Sequence, residues 1–287
     1  NIYTMIFWIA SYPKSGNTWL RALLSAYYFT NDGIFSNDSL LRNIQQFPEK
    51  KHFSNFEYQL DKPGDTAKFW IRAQELINKD KKIRFFKTHN CLGSLGDNSF
   101  TNKKNTIGVI YIVRDPRNVV TSLKNHFDLT LQDALDFMKN ENKFTYDHIK
   151  GRDYSDFQFI SSWEKNYQSW INNKVFPTKV IKYENLANQT FYIFKDLINF
   201  INKICQNKLK FDKKRALNAL SSTTFSKLKK LELNKGFSEA TFSKDKKKEI
   251  PFFHLGPDND WKKKLDTDFK KKLNETFKKN LAELDYF

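Results

Sequence analysis

Three short stretches carry side chains suited to a phosphorylated anion and to proton transfer beside it. The first is Pro13-Lys14-Ser15-Gly16-Asn17-Thr18, a turn combining one cation with small and hydroxyl residues. At the start of a helix such a turn offers free backbone amides and the positive end of the helix dipole to a phosphate. It is not the ATPase loop GxxxxGK[ST], because Lys14 precedes Gly16 and no second glycine is present. The second is Arg114-Asp115-Pro116-Arg117, with Ser122 about two turns into the helix that Pro116 would begin. Arg114 brings a planar fork for phosphate oxygens and Ser122 a hydroxyl. The third is Lys87-Thr88-His89. A neutral imidazole, with an ordinary pKa of about 6.5, can accept a hydroxyl proton near neutral pH. Each stretch alone also has a plainer reading: an ordinary turn with a Ser/Thr cap, an ion pair at a helix start, and a structural histidine.

The elements that must hold these residues are legible around them. Met5 to Ala10 is an apolar run that predicts a strand, followed by the turn and a helical pattern from Thr18 to about Phe29. Further strands are predicted at Ile83 to Phe86, Ile107 to Val113 and Lys179 to Ile181, with helices at 65–78, 117–126, 156–172 and 188–203. Leu265, Phe269, Leu273 and Phe277 predict an amphipathic helix near the C-terminus. Alternating strands and helices imply an α/β fold: a single domain over 1–287 with a central parallel sheet flanked by helices, like that of P-loop NTPases. All three stretches then leave the carboxyl ends of strands, where open α/β sheets bind ligands.

Tyr12-Pro13-Lys14-Ser15-Gly16-Asn17-Thr18-Trp19-Leu20 closely resembles the 5′-phosphosulfate loop of the cytosolic-type sulfotransferase family. Tyr111 through Ser122 resembles that family's 3′-phosphate motif, and Phe85-Phe86-Lys87-Thr88-His89 its catalytic Lys-Thr-His. Weaker likenesses extend along most of the chain: Ser162-Trp163 through Trp170, Val180 through Leu186, Thr223-Thr224-Phe225, and Gly256 through Trp261 with Lys262.

The resemblance implies a sulfotransferase that moves the sulfonate of 3′-phosphoadenosine-5′-phosphosulfate (PAPS) to an acceptor hydroxyl or amine by in-line displacement, releasing 3′-phosphoadenosine-5′-phosphate (PAP). It implies His89 as base, with Lys14 and Lys87 balancing charge at the reacting group. Donor contacts fall on Lys14, Ser15, Gly16, Asn17, Thr18, Trp19, Arg114, Ser122, Tyr183, Thr223 and Gly256, with Trp19 and Tyr183 at adenine. No metal is required. Three positions depart from the family pattern. Asn17 stands where Thr is usual, Asn259 replaces a second glycine, and His254-Leu255 replaces an Arg-Lys pair that holds the 3′-phosphate. Arg114 with Ser122, His254, or the lysines from Lys244 to Lys248 are available to compensate, and the lysines are favoured.

Composition agrees with a globular chain and excludes several classes. Apolar residues make up 39% of the 287 and glycine plus proline only 16 positions, which does not describe a disordered chain. Cys91 and Cys205 lie far apart without zinc spacing, so a reducing compartment is expected. With no run long enough to span a bilayer, the protein is expected to be soluble and cytoplasmic. The net charge of +17 draws polyanions, unless runs such as Lys262–Lys264 and Lys270–Lys272 are only solvated helix faces. The expected partner is an acceptor molecule (small molecule, glycan or lipid), with no nucleic acid; the oligomeric state stays open. A P-loop kinase or NTPase, and an inactive polyanion-binding protein of the same fold, are the alternatives.

Overall fold

Ile6–Ser11 forms β1, and every residue in it is buried. Phe7 and Ile9 enter one core layer while Trp8 and Ala10 enter the other, the alternation required of a strand covered on both faces. The computed structural model describes residues 5–80, 82–147, 151–206, 209–243 and 248–287. Beside β1 lie β2 (Gln45–Gln46), β3 (Arg84–Thr88), β4 (Thr106–Val113) and β5 (Thr178–Lys182). They form one parallel sheet in the order β2-β3-β1-β4-β5.

Parallel neighbours need crossovers, and helices supply them on both faces. The helices are α1 (Asn17–Phe29), α2 (Trp70–Ile77), α3 (Pro116–His126), α4 (Leu131–Lys139), α5 (Trp163–Ile171) and α6 (Tyr183–Asn188). They continue with α7 (Thr190–Ile204), α8 (Lys213–Ser222), α9 (Phe225–Lys235), α10 (Trp261–Lys264), α11 (Thr267–Thr276) and α12 (Lys278–Glu283). Leu20 and Leu23 of α1 join Leu197 and Ile198 of α7 and Ala216 and Ala219 of α8 under one face of the sheet. Val119 and Val120 of α3, Leu135 of α4, Trp163 and Trp170 of α5 and Leu273 of α11 fill the other.

Three expectations need adjusting at their edges. The predicted helix 65–78 opens as a 3-10 turn over Asp65–Phe69 before α2. The predicted helix 156–172 begins only at Trp163: Ser162 Oγ accepts the Lys165 N–H at 3.2 Å as its cap. The residues before it instead pair as a short antiparallel ladder, Phe144–Thr145 with Gln158–Phe159. The stripe Leu265 to Phe277 is broken at its start, where Asp266 caps α11 through the Phe269 N–H and leaves Leu265 in the preceding turn. The helices α4, α8 and α9 lie outside the expected elements, although at α4 Thr130 and Asp133 form a reciprocal capping box before Ala134, Leu135 and Met138. Of the basic runs, Lys262, Lys263 and Lys264 are exposed, as solvated helix faces would be.

Candidate active site

The carboxyl ends of β1, β3, β4 and β5 open into one cavity of about 1140 Å³. Lys14, Gly16, Asn17, Thr18, Trp19, Lys87, His89, Arg114, Ser122, Tyr183 and Gly256 all line it. The two remaining expected residues do not. Ser15 is fully buried beneath the turn, its Oγ without a hydrogen-bond partner among the described residues. Thr223 Oγ1 turns back to the Ala219 carbonyl at the end of α8, and its neighbours Thr224 and Phe225 reach the cavity instead.

The turn after β1 is built around two left-handed residues, Lys14 at φ 64° and Gly16 at φ 100°. At Gly16 a Cβ would stand 2.5 Å from Tyr183 Cδ2, so glycine is required by sterics as well as by φ. Gly16 also occupies the N-cap of α1, where no side chain caps the first amides. Asn17 Nδ2 ties the turn to the end of β1, donating to Ile9 O at 3.0 Å and Ser11 Oγ at 3.2 Å. Trp19 and Tyr183 meet edge to face at 5.8 Å, forming an aromatic corner beside the turn.

The Arg-Asp-Pro stretch divides between two tasks. Asp115 caps α3 and pairs with Arg117 at 2.8 Å, so the ion pair at the helix start is real but belongs to Arg117. Arg114 is left for the cavity. Its Nη1 donates to Lys14 O at 3.0 Å, and its guanidinium lies 4.2 Å from the Tyr183 ring centroid. Its buried Nε has no partner among the described residues, which is the state of a donor awaiting an anion.

His89 follows β3 directly. Its Nδ1 lies 2.7 Å from the Ser11 carbonyl, which can only accept, so Nδ1 carries the proton and Nε2 keeps its lone pair. The His89 N–H donates to Gln158 Oε1 at 2.8 Å, and its carbonyl accepts from Asn166 at 2.9 Å, which fixes the residue at both ends. Burial, helped by the nearby Lys87 charge, lowers its pKa to about 3, so the imidazole is neutral near pH 7. Burial likewise lowers the Lys14 ammonium to about 7, with Glu239 opposing the shift and Arg114 and Lys87 adding to it.

Two residues of the cavity wall escaped the sequence reading. Arg21 projects from α1 and donates from Nε to Ile44 O and from Nη2 to Leu41 O, both at 3.1 Å. Its Nη1 pairs with Glu239, a carboxylate that also accepts from Thr18 Oγ1 at 2.6 Å and Lys87 Nζ at 3.4 Å. Burial alone would raise the Glu239 pKa, but Arg21 and Lys87 outweigh it and hold the carboxyl well below its usual range. An arginine inside the apolar run Leu20 to Leu24 was a usable signal; nothing in the sequence near Glu239 was.

The family model for the sulfotransferase domain matches residues 6–285. The chain belongs to the sulfotransferase family. Luciferin sulfotransferase of Photinus pyralis is 24% identical to it over 210 residues, which cover 70% of this chain and 52% of that protein. Cytosolic sulfotransferase 15 of Arabidopsis thaliana is 26% identical, with 79% and 59% covered. The chain thus spans between half and three fifths of the length of these two relatives. Sulfotransferase 1 family member D1 of Rattus norvegicus is 23% identical, with 88% and 76% covered. Among solved structures, a mouse sulfotransferase complexed with PAP shares the fold at a TM-score of 0.56 and 16% identity, over 97% of this chain and 85% of that one. Retinol dehydratase in complex with retinol and PAP does so at 0.52 and 19%, over 98% and 84%.

In this sulfotransferase-family chain the region that departs from the pattern also faces the cavity. Gly256, at φ 55°, lies so close to Phe225 that a Cβ would stand 2.4 Å from its ring. Asn259, in place of the second glycine, clamps α3 by donating to Asn118 O at 2.9 Å and accepting from Thr121 at 2.6 Å. His254 is exposed, and burial together with Lys229, Lys264 and Lys124 lowers its pKa, which argues against a protonated imidazole there. Lys244, Lys246 and Lys247 lie outside the described residues, and Lys248 is exposed. Among the described residues no three His, Cys, Asp or Glu gather to hold a metal, and no helix is long and apolar enough to cross a membrane.

Proposed function

We propose that the chain transfers the sulfonate of PAPS to an acceptor hydroxyl or amine, with His89 as base. One observation carries the reading: His89 Nε2 is left as a lone-pair acceptor in the same cavity as Lys14, Lys87 and Arg114. The nucleotide's demands match the walls. Uncapped α1 amides and Lys14 suit the 5′-phosphate, Arg114 Nε and Ser122 the 3′-phosphate, and the corner of Trp19 and Tyr183 an adenine ring. In the reaction, His89 Nε2 takes the acceptor proton as the acceptor atom attacks sulfur in line. The bond from sulfur to the 5′-phosphate oxygen breaks, and its electron pair leaves with PAP. Lys14, whose ammonium is restored by an arriving anion, balances that charge, and Lys87 attends the sulfonate. Lysines and amides suffice for this without a metal. Free Cys91 and Cys205 accord with a reducing, cytoplasmic location.

Calorimetric titration with PAP, joined to an assay of PAPS consumption in the presence of acceptors, tests the reading. PAP should bind, and turnover should survive EDTA. Turnover of ATP in place of PAPS would return the chain to the kinase class, and loss of activity in EDTA would refute the metal-free scheme.

Glu239 opposes donor binding in this reading, because its carboxylate occupies the cations that the phosphosulfate end would use. Glu239→Gln keeps the shape and removes the charge. PAP and PAPS should both bind about tenfold more tightly to this variant, from relief of charge repulsion in a partly screened site. Unchanged or weaker binding would mean that Glu239 chiefly holds Arg21 and Lys87 in place.

A further inference from the structure

We propose that the acceptor is a polyhydroxylated molecule of the saccharide class, and not an apolar phenol or steroid. This rests on the sulfotransfer reading and follows from what the sheet order leaves for the acceptor. The expected donor contacts leave the ends of β1, β4 and β5, which are consecutive in the sheet. His89 leaves β3 on the other side of β1, and beyond it lies only the edge strand β2. The acceptor therefore approaches His89 from the half of the cavity walled by β2, the residues after it, and the ladder of 144–145 with 158–159.

That half is polar. Gln45 and Gln46 come from β2, Glu49 and Lys51 from the turn after it, and Thr145 and Gln158 from the ladder, all lining the cavity. Gln158 is the most telling of them. It is 4% exposed and spends its Oε1 on the His89 N–H, while its Nε2 makes no hydrogen bond among the described residues. The amide N–H donors of the residue that holds the His89 backbone thus face the cavity, free of protein partners among the described residues. Glu49 and Lys51 pair at 2.5 Å and can receive hydroxyl groups from either side. An apolar acceptor would desolvate these groups without replacing their hydrogen bonds, which weakens binding roughly ten- to hundredfold for each group so buried. A ring bearing several hydroxyls satisfies them, and Tyr146 on the same wall offers an aromatic surface for its C–H face.

The test is a competition assay with PAPS, the whole chain, and a panel of glucosamine, methyl glucoside, glucuronate, 4-nitrophenol and a hydroxysteroid, read by mass. The sugars should be turned over, with the phenol and steroid at least about tenfold below methyl glucoside in kcat/KM. Gln46→Leu should narrow the gap between methyl glucoside and 4-nitrophenol about tenfold without changing the affinity for PAP, since Gln46 lies away from the donor half. Preference for the phenol or steroid overturns the proposal, as does bound PAP with no transfer to any sugar. Absence of PAP binding together with absence of any transfer overturns the parent reading as well, so the two failures are distinguishable.

Discussion

His89→Ala is expected to lower kcat by about 10²- to 10⁴-fold, the range for loss of a positioned general base, while affinity for PAP changes less than about twofold. The separation follows from geometry. Among the described residues the ring is held only through Nδ1, by the Ser11 carbonyl at 2.7 Å with Ser11 Oγ at 3.3 Å, and Nε2 is directed by that contact to act as acceptor. Nothing in the proposed donor contacts passes through His89. A pH profile adds a second readout. Because the free imidazole is neutral down to about pH 3, kcat/KM for the donor should show no acid-side loss near 6.5, where an ordinary histidine protonates, whereas a fall above about 7 belongs to deprotonation of Lys14. Parallel loss of PAP affinity and turnover would assign His89 to holding the end of β1 and not to the reaction. Comparing calorimetric affinity with steady-state kcat in the same preparation decides between them.

Arg114→Ala and Lys14→Ala should fail in opposite ways. Arg114 offers a buried Nε without a partner among the described residues, in a guanidinium 4.2 Å from the Tyr183 ring centroid, so its loss should weaken PAP roughly 10- to 100-fold, the worth of a charge-assisted contact. Adenosine 5′-phosphate, which lacks the 3′-phosphate, should be much less affected. Arg114→Lys should recover little, since a point charge replaces neither the fork nor the stacking. Lys14→Ala should instead act mainly on kcat, because its charge is needed most as the leaving phosphate gains electrons. The same comparison bears on the missing Arg-Lys pair. Weakening confined to ligands with the 3′-phosphate would place that task on Arg114 and Ser122; a small effect would return it to the lysines from Lys244 to Lys248.

The parts of this site legible in the sequence are those in which backbone and side chain are specified together. The turn from Pro13 to Thr18 needs glycine for Tyr183 to approach, Arg114 needs the strand before it and the proline after it, and His89 needs the end of β3. Local order and chemistry coincide there, so the residue pattern carries both. β2 was invisible because two glutamines pairing with Phe86 and Lys87 have no periodicity of their own. Glu239 was invisible because its role depends on Arg21, Thr18 and Lys87, all more than 150 residues away. Thr223 was placed one residue early: its hydroxyl ends α8, and the chain turns so that Thr224 and Phe225 face the cavity. The helix predicted from 156 ran too long because aromatic residues at 157 and 159 continue the apolar pattern of α5, while Phe157 closes a turn onto Tyr154 O and only Gln158–Phe159 pairs as strand.

The position of β1 shapes how this chain must be made. Ile6 pairs with Arg84 on one side and with Thr106 on the other, so the central strand has both neighbours still to come when it leaves the ribosome. Until β3 and β4 follow, the nascent Ile6-Phe7-Trp8-Ile9 stretch presents open backbone and bulky apolar side chains, the kind of surface that chaperones shield. Contacts of such long sequence separation close slowly. The turn from Pro13 to Thr18, synthesised before either flanking strand, therefore becomes ordered only after the residues bearing His89 and Arg114 have emerged, and the proposed nucleotide site assembles late and as a unit.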